Sequence, residues 1–380
     1  MSRRLQTSTD ESHESVDSDV ARDGHITWKY LRAAELEDTE PNEVLQRSLT
    51  VRSIITTYSS FATRSQRLKD RVDIQNFQNI GAGSQGTVYE RLGCTYVNKK
   101  EMSNNPGQSL QTEFEMHQRV WDAFAKYGEL SGDVRVPQPY DFIPKGLLSP
   151  EVLSRMPEND RFPSDMATME RILPLPKVVR KAMIRRFYPG DCNDEHLMAQ
   201  LLDDKPNKHC LARVYLGKET MTRAKETFTL RNFPLTLKAM AELGLDMGQF
   251  AAMIGNAYAI MHWAATITGD DVEFVLGTST TANNNFQQRA IHLYLLDFGQ
   301  CENVDMEEEE EDVFQTLKGS MVLQQNQLYL PHPRRSTALY QAWESAYLST
   351  AREIIMNEGL PFDPEKFCQE YEEYLEDFDP

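Results

Sequence analysis

The sequence predicts an α+β chain of two lobes, a small sheet-containing one (72–176) and a larger, mainly helical one (177–380). Three observations lead there. The hydrophobic period changes from helical to alternating at Val72. A glycine-rich turn, a strand lysine and a helix glutamate then follow in that order. Late in the chain an apolar run ends in Leu295-Leu296-Asp297-Phe298-Gly299. With 380 residues there is enough apolar material for a sizeable core.

Taken in order, residues 1–25 are polar, rich in Ser and Asp and without periodicity, which predicts disorder. Residues 26–71 predict a helical extension, its period clearest from Pro41. DIQNFQNIGAGSQGTVYERLGCTYVNKK, from Asp73, alternates apolar and polar residues around glycines and predicts two or three antiparallel strands. Ser109 to Tyr127 returns to a helix, with Leu110, Phe114, His117, Trp121 and Phe124 on one stripe. Stretches 134–143 and 164–176 predict short strands and a proline-stiffened connection. A basic helix (177–186), a charged insertion (191–208) and a strand (209–218) follow. Leu235 to Ala264 is mainly helical, with Asp246 as an N-cap. Two short strands (274–276 and 291–296) and an acidic helical region from Glu311 complete the chain.

The formal net charge of −18 argues against DNA and anionic membranes as partners, because the summed field repels polyanions. No apolar run reaches the length of a membrane span and no apolar centre of a secretory signal opens the chain, so a cytoplasmic protein is expected. Five scattered cysteines with no C-x-x-C pair predict reduced, mostly buried thiols and no metal site. Against the acidic average, RILPLPKVVRKAMIRR (171–186) holds six basic side chains and no acidic one. On a helix Lys177, Lys181 and Arg185 share a face with Arg180 beside them, a stripe suited to nucleic-acid phosphates.

IGAGSQGTVYE carries Gly81, Gly83 and Gly86 in the G-x-G-x-x-G-x-V spacing, between strands instead of between a strand and a helix. Lys99 and Glu113 follow where a strand lysine and its helical partner would sit, and Asp297 lies in LLDFG. This order resembles protein kinases, which implies a kinase-like fold with a nucleotide cleft holding ATP and Mg. The catalytic loop departs from that pattern: with Glu273 at the position of the metal-binding Asn, Thr268 stands where the catalytic Asp belongs. His262, on a Met- and Ala-rich helix, reads as a core histidine.

TGDDVEFVLG (268–277) places Asp270, Asp271 and Glu273 before an apolar strand. Carboxylates this dense raise one another's pKa and suit proton transfer; they also suit a guanidinium, a magnesium ion or a solvated turn. These readings stay open.

From about Asp73 onward, IGAGSQGTVYE, MERILPLP, CLARVYLGK, the MHWAA-to-DDVEFVLG stretch and LLDFG together resemble a fungal family of unknown function with kinase-like features, which includes arginine-containing cyclodipeptide synthases of secondary metabolism. That resemblance implies an enzyme that joins arginine, from arginyl-tRNA, to an amino acid from a second aminoacyl-tRNA, giving a diketopiperazine without a cofactor. It implies catalytic roles for Asp270, Asp271 and Glu273. Lys177, Arg180, Lys181 and Arg185 would hold the tRNA, with Lys218, Arg223 and Lys225 near them, and Asp297 would contact substrate. The alternatives are a kinase-like, ATP- and Mg-dependent phosphotransferase using Gly81, Gly83, Gly86, Lys99, Glu113 and Asp297, and a pseudokinase-like binding module without chemistry.

Overall fold

In the computed structural model, residues 22–23, 26–83, 86–102, 109–222, 224–281 and 284–378 are described. The predicted disorder of 1–25 falls almost wholly outside them. The N-terminal part carries the short pair β1 (Arg22–Asp23) and β2 (Ile26–Thr27), then β3 (Lys29–Arg32), α1 (Ala33–Glu37), α2 (Pro41–Ser48), β4 (Ser53–Thr56) and α3 (Ser60–Leu68). It is therefore not purely helical. Ser53-Ile54-Ile55 is wholly buried, and these residues take strand geometry because β14 offers them an open edge, a tertiary partner that local periodicity cannot register.

The alternating segment forms β5 (Gln78–Ala82), β6 (Gly86–Glu90) and β7 (Tyr96–Glu101), followed by α4 (Leu110–Lys126), β8 (Val134–Arg135), β9 (Pro139–Ile143), α5 (Pro150–Arg155) and β10 (Met166–Glu170). Five of these strands make one antiparallel sheet in the order β5-β6-β7-β10-β9. Gly86 is required there: a Cβ on it would stand 2.7 Å from the Lys100 carbonyl oxygen of the neighbouring strand. Ser109 caps α4 by accepting from the Thr112 amide. Phe77, Tyr89, Leu148, Met156 and Met166 form a small core of their own beside this sheet.

Next come α6 (Lys177–Phe187), α7 (Glu195–Asp203), α8 (Lys205–Lys208), β11 (Ala212–Val214), β12 (Phe233–Leu235), α9 (Leu237–Glu242) and α10 (Met247–Trp263). The hairpin of β13 (Glu273–Thr281) and β14 (Asn285–Leu296) follows, then α11 (Glu310–Met321), α12 (Thr337–Glu358) and α13 (Pro364–Phe378). A seven-stranded sheet runs β12-β11-β13-β14-β4-β3, with β8 also pairing with β14. The hairpin outruns the two three- to six-residue strands expected, since its far half, Thr278-Ser279-Thr280-Thr281, is polar and offers no apolar alternation. The chain is thus mixed α+β. Its main core gathers around α10, which is buried almost all round and capped by Asp246 as expected.

All five cysteines are free, with Cys94, Cys210, Cys301 and Cys368 buried. No helix among the described residues is long and apolar enough to cross a membrane.

Candidate functional site

The β13–β14 register decides what meets what. Glu273 pairs with Leu296, so the open end of the hairpin brings the DDVE stretch beside Asp297, which directly follows β14. Asp271 and Asp297 both adopt left-handed backbone, with φ of 55° and 70°, conformations that a buried scaffold must impose on non-glycine residues. β11 pairs Arg213 with Val275, which leaves Arg213 the diagonal neighbour of Glu273 on the same face. Their side chains form an ion pair, both largely buried.

Lys99 on β7 reaches Glu113 on α4, with its Nζ 2.5 and 2.7 Å from the two carboxylate oxygens. Both side chains are close to fully buried, and Asp297 is near enough to act on Glu113. Lys99, Glu113, Asp297, Asp271, Glu273 and Arg213 therefore form one connected charged group, four carboxylates to two cations. Burial raises the Glu113 carboxyl against the opposing pull of Lys99, and Asp297 raises it further. Burial likewise pushes Glu273 up to about 7, with Arg213 opposing and Asp297 adding repulsion. Asp271 is raised by burial first and then by Asp297. Asp270 stands apart: it accepts from the Thr268 hydroxyl at 2.7 Å, and burial raises it.

Asp271 and Asp297 make no hydrogen bond or ion pair among the described residues, and both are half-buried. The group can hold a cationic substrate through these two carboxylates and move a proton through Glu273. Thr268 is buried, its hydroxyl engaged with Asp270 and with the Glu302 amide at 2.9 Å, so it cannot orient an attacking hydroxyl. His262 is fully buried against the Tyr347 hydroxyl at 2.9 Å, and burial lowers it to about 3, as a core histidine.

Of the glycine turn, Ser84 and Gln85 lie outside the described residues. Gly83 donates to the Gly86 carbonyl at 2.9 Å and has open space beside it, and Gly81 lies in β5. On α6, Lys177 and Arg185 are exposed, and Lys181 pairs with Glu37 at 2.6 Å. They line a groove of about 820 Å³ together with Glu37, Asp191 and Glu195. Arg180 is turned inward, where its guanidinium donates to the carbonyls of Leu175 and Asn207 at 3.1 Å and of Leu202 at 3.5 Å. It braces the fold and is not open to a ligand. Lys218 and Lys225 are exposed, and Arg223 lies outside the described residues.

Sequence reasoning missed Arg213. Its signal was a lone cation inside the buried alternation Ala212-Arg213-Val214, a position that needs a carboxylate partner.

A family model matches residues 293–359, that of DUF3669, described as a zinc finger protein. No curated protein matches the chain. The match corrects the resemblance drawn above: it points neither to a kinase-like family nor to arginine-containing cyclodipeptide synthases. Of the motifs behind that resemblance, only LLDFG (295–299) falls within the matched residues. The zinc in the family's description does not fit this chain either. Residues 293–359 hold one cysteine and one histidine, where a structural zinc takes four ligands. That cysteine, Cys301, is buried with its thiol 3.5 Å from the Asp270 carbonyl oxygen. Among the described residues no group of three or more His, Cys, Asp or Glu side chains could hold a metal ion.

Proposed function

We propose that the Glu273–Asp271–Asp297 site catalyses aminoacyl transfer, joining arginine from arginyl-tRNA to a second tRNA-borne amino acid and closing the pair into a diketopiperazine. The observation that carries this reading is the placing of Glu273, largely buried in its ion pair with Arg213 and beside Asp297 at the open end of the hairpin, where burial pushes its carboxyl up to about 7, close to the ordinary 7.7–8.0 of an α-amino group. A proton passes between such partners with little energetic penalty, which is the condition for effective general base catalysis. Glu273 takes the proton from the α-ammonium. The free amine attacks the ester carbon of the second aminoacyl group, and the departing ribose oxygen carries away a proton. A second attack of the same kind closes the ring. Asp271 and Asp297, lacking partners of their own among the described residues, receive the guanidinium of the arginyl group. The exposed cations Lys177 and Arg185, with Lys181, supply contacts for the acceptor strand. Aminoacyl esters are already activated, so the reaction needs neither a nucleotide nor a hydroxyl-orienting aspartate at position 268.

A second reading is favoured by one specific observation. The buried Lys99–Glu113 pair lies beside Asp297, the combination of strand lysine, helix glutamate and late aspartate that a nucleotide and metal site uses. It supports a bilobal, kinase-like arrangement in which the same cleft takes ATP and Mg. Incubating the purified chain with arginyl-tRNA and a mixture of other aminoacyl-tRNAs, and reading the products by mass spectrometry, separates the two. A cyclic dipeptide containing arginine is the expected result. No dipeptide, together with saturable stabilisation by ATP and Mg, would transfer the site to phosphotransfer.

A further inference from the structure

A second polar hollow of about 360 Å³ lies where the two sheets meet, well along the hairpin from Glu273. Its walls are hydroxyls and guanidinium groups: Thr95, Tyr140, Ser279 and Thr280, with Arg135 and Arg171. Arg135 is fixed in place. Its Nη1 donates to Ser279 Oγ at 3.3 Å and to His292 Nε2 at 3.2 Å, while Ser279 and His292 are 3.1 Å apart. His292 is buried, with Trp28 and Tyr294 rings edge-on to it; burial and then Arg135 lower it to about 3, so it is a neutral acceptor.

Arg171 is 2% exposed. It pairs with Glu90, yet its Nε and Nη1 donors find no hydrogen-bond acceptor among the described residues. Behind it, Arg289 is fully buried on the Thr278 hydroxyl and the Pro174 carbonyl, and burial together with Arg171 lowers it to about 9. Three guanidinium groups thus converge with two carboxylates, Glu90 and Glu170, and the second of these sits at the rim accepting from the Gln138 amide. Positive charge left over in a buried place is costly, and donors without acceptors add to the cost.

The geometry points to a binding site for the oxyanion group of a small molecule, a phosphate or a carboxylate, held by Arg135, ringed by the Ser279, Thr280 and Thr95 hydroxyls and favoured by the incompletely compensated charge of Arg171 buried in the wall behind them. Arginine matches both groups through paired N–H donors, and hydroxyls complete their remaining lone pairs. The site is independent of the charged group around Glu273.

The test is thermal stabilisation of the full chain at constant ionic strength, titrated separately with inorganic phosphate and with succinate. Saturable stabilisation by one of them is expected, and which one identifies the group. Arg135→Gln should weaken the apparent affinity by about tenfold or more, the value of one charge-assisted contact. Thr280→Val, which leaves the Arg135 network untouched, should weaken it by a smaller factor and stands in if Arg135→Gln fails to fold. Lys238→Met, on the exposed face of α9, should leave it unchanged. Stabilisation that never saturates in the wild type, or that is equal in wild type and both hollow variants, overturns the site.

Discussion

At the scale of single residues, Glu273 carries the sharpest expectation. Its folded pKa of about 7 lies above the ordinary 4.5, so folding favours the protonated form. The stabilising contribution is complete below pH 4.5 and is lost as pH rises to 7, a change of about 3 kcal/mol. Glu273→Gln should flatten that part of the stability profile, read by denaturant titration at several pH values. The same variant should remove product formation, whereas wild-type activity rises as pH passes 7. An unaltered stability profile would mean that the carboxyl titrates as an ordinary exposed acid. Part of this was legible in TGDDVEFVLG, since dense carboxylates before a buried strand signal a perturbed site. The partner was not, because Arg213 is 60 residues away and only the β11–β13 register sets the two side by side.

Between elements, two contacts decide how much sequence change the fold accepts. Lys99 links β7 to α4 through Glu113, and both side chains are about nine-tenths buried. Lys99→Met leaves that carboxylate buried and unpaired beside Asp297, which should cost about 3–5 kcal/mol near neutral pH. The loss should shrink in acid, where Glu113 takes up a proton, and Glu113→Gln on the same background should recover much of it. Equal losses at pH 5 and pH 8 would contradict the buried-pair account. The second contact is the crossing of α10 and α12. A Cβ on Gly255 would stand 2.3 Å from the Trp343 carbonyl oxygen, so Gly255→Ala must push two buried helices apart. The expected cost is about 1–3 kcal/mol, visible as a lower urea midpoint. Helix α10 itself was legible from its Asp246 cap and apolar run. Its close approach to α12 was not, because one glycine in a helix carries no mark of what packs on it.

For the whole molecule, an acidic chain of formal charge −18 presents one basic helix face. Replacing Lys177, Lys181 and Arg185 together by glutamate should weaken tRNA binding and reduce its salt dependence, with the fold kept. Retained affinity with an unchanged salt slope would mark α6 as an ordinary solvated face. Arg180 is left out because its three carbonyl partners would lose their donor. The sequence put it beside the stripe; its inward turn follows from the packing of α6 against the segment carrying Leu202 and Asn207, which periodicity alone does not reveal. The α+β class was legible from the period change at Val72, while the seven-stranded sheet was not, since its strands come from chain segments more than two hundred residues apart.

Ile54–Thr56 pairs with Gln288–Ala290, and Lys29–Arg32 in turn pairs along Ser53–Thr56. Residues 29–56 thus act as a selvedge stitched along β14. A protease that cut near Tyr58, three-quarters exposed, and let the front piece drift away would bare backbone rungs able to recruit a strand from another molecule. Nicked chains should therefore either stay together through gel filtration or clump, and a soluble, lone C-terminal fragment should not accumulate.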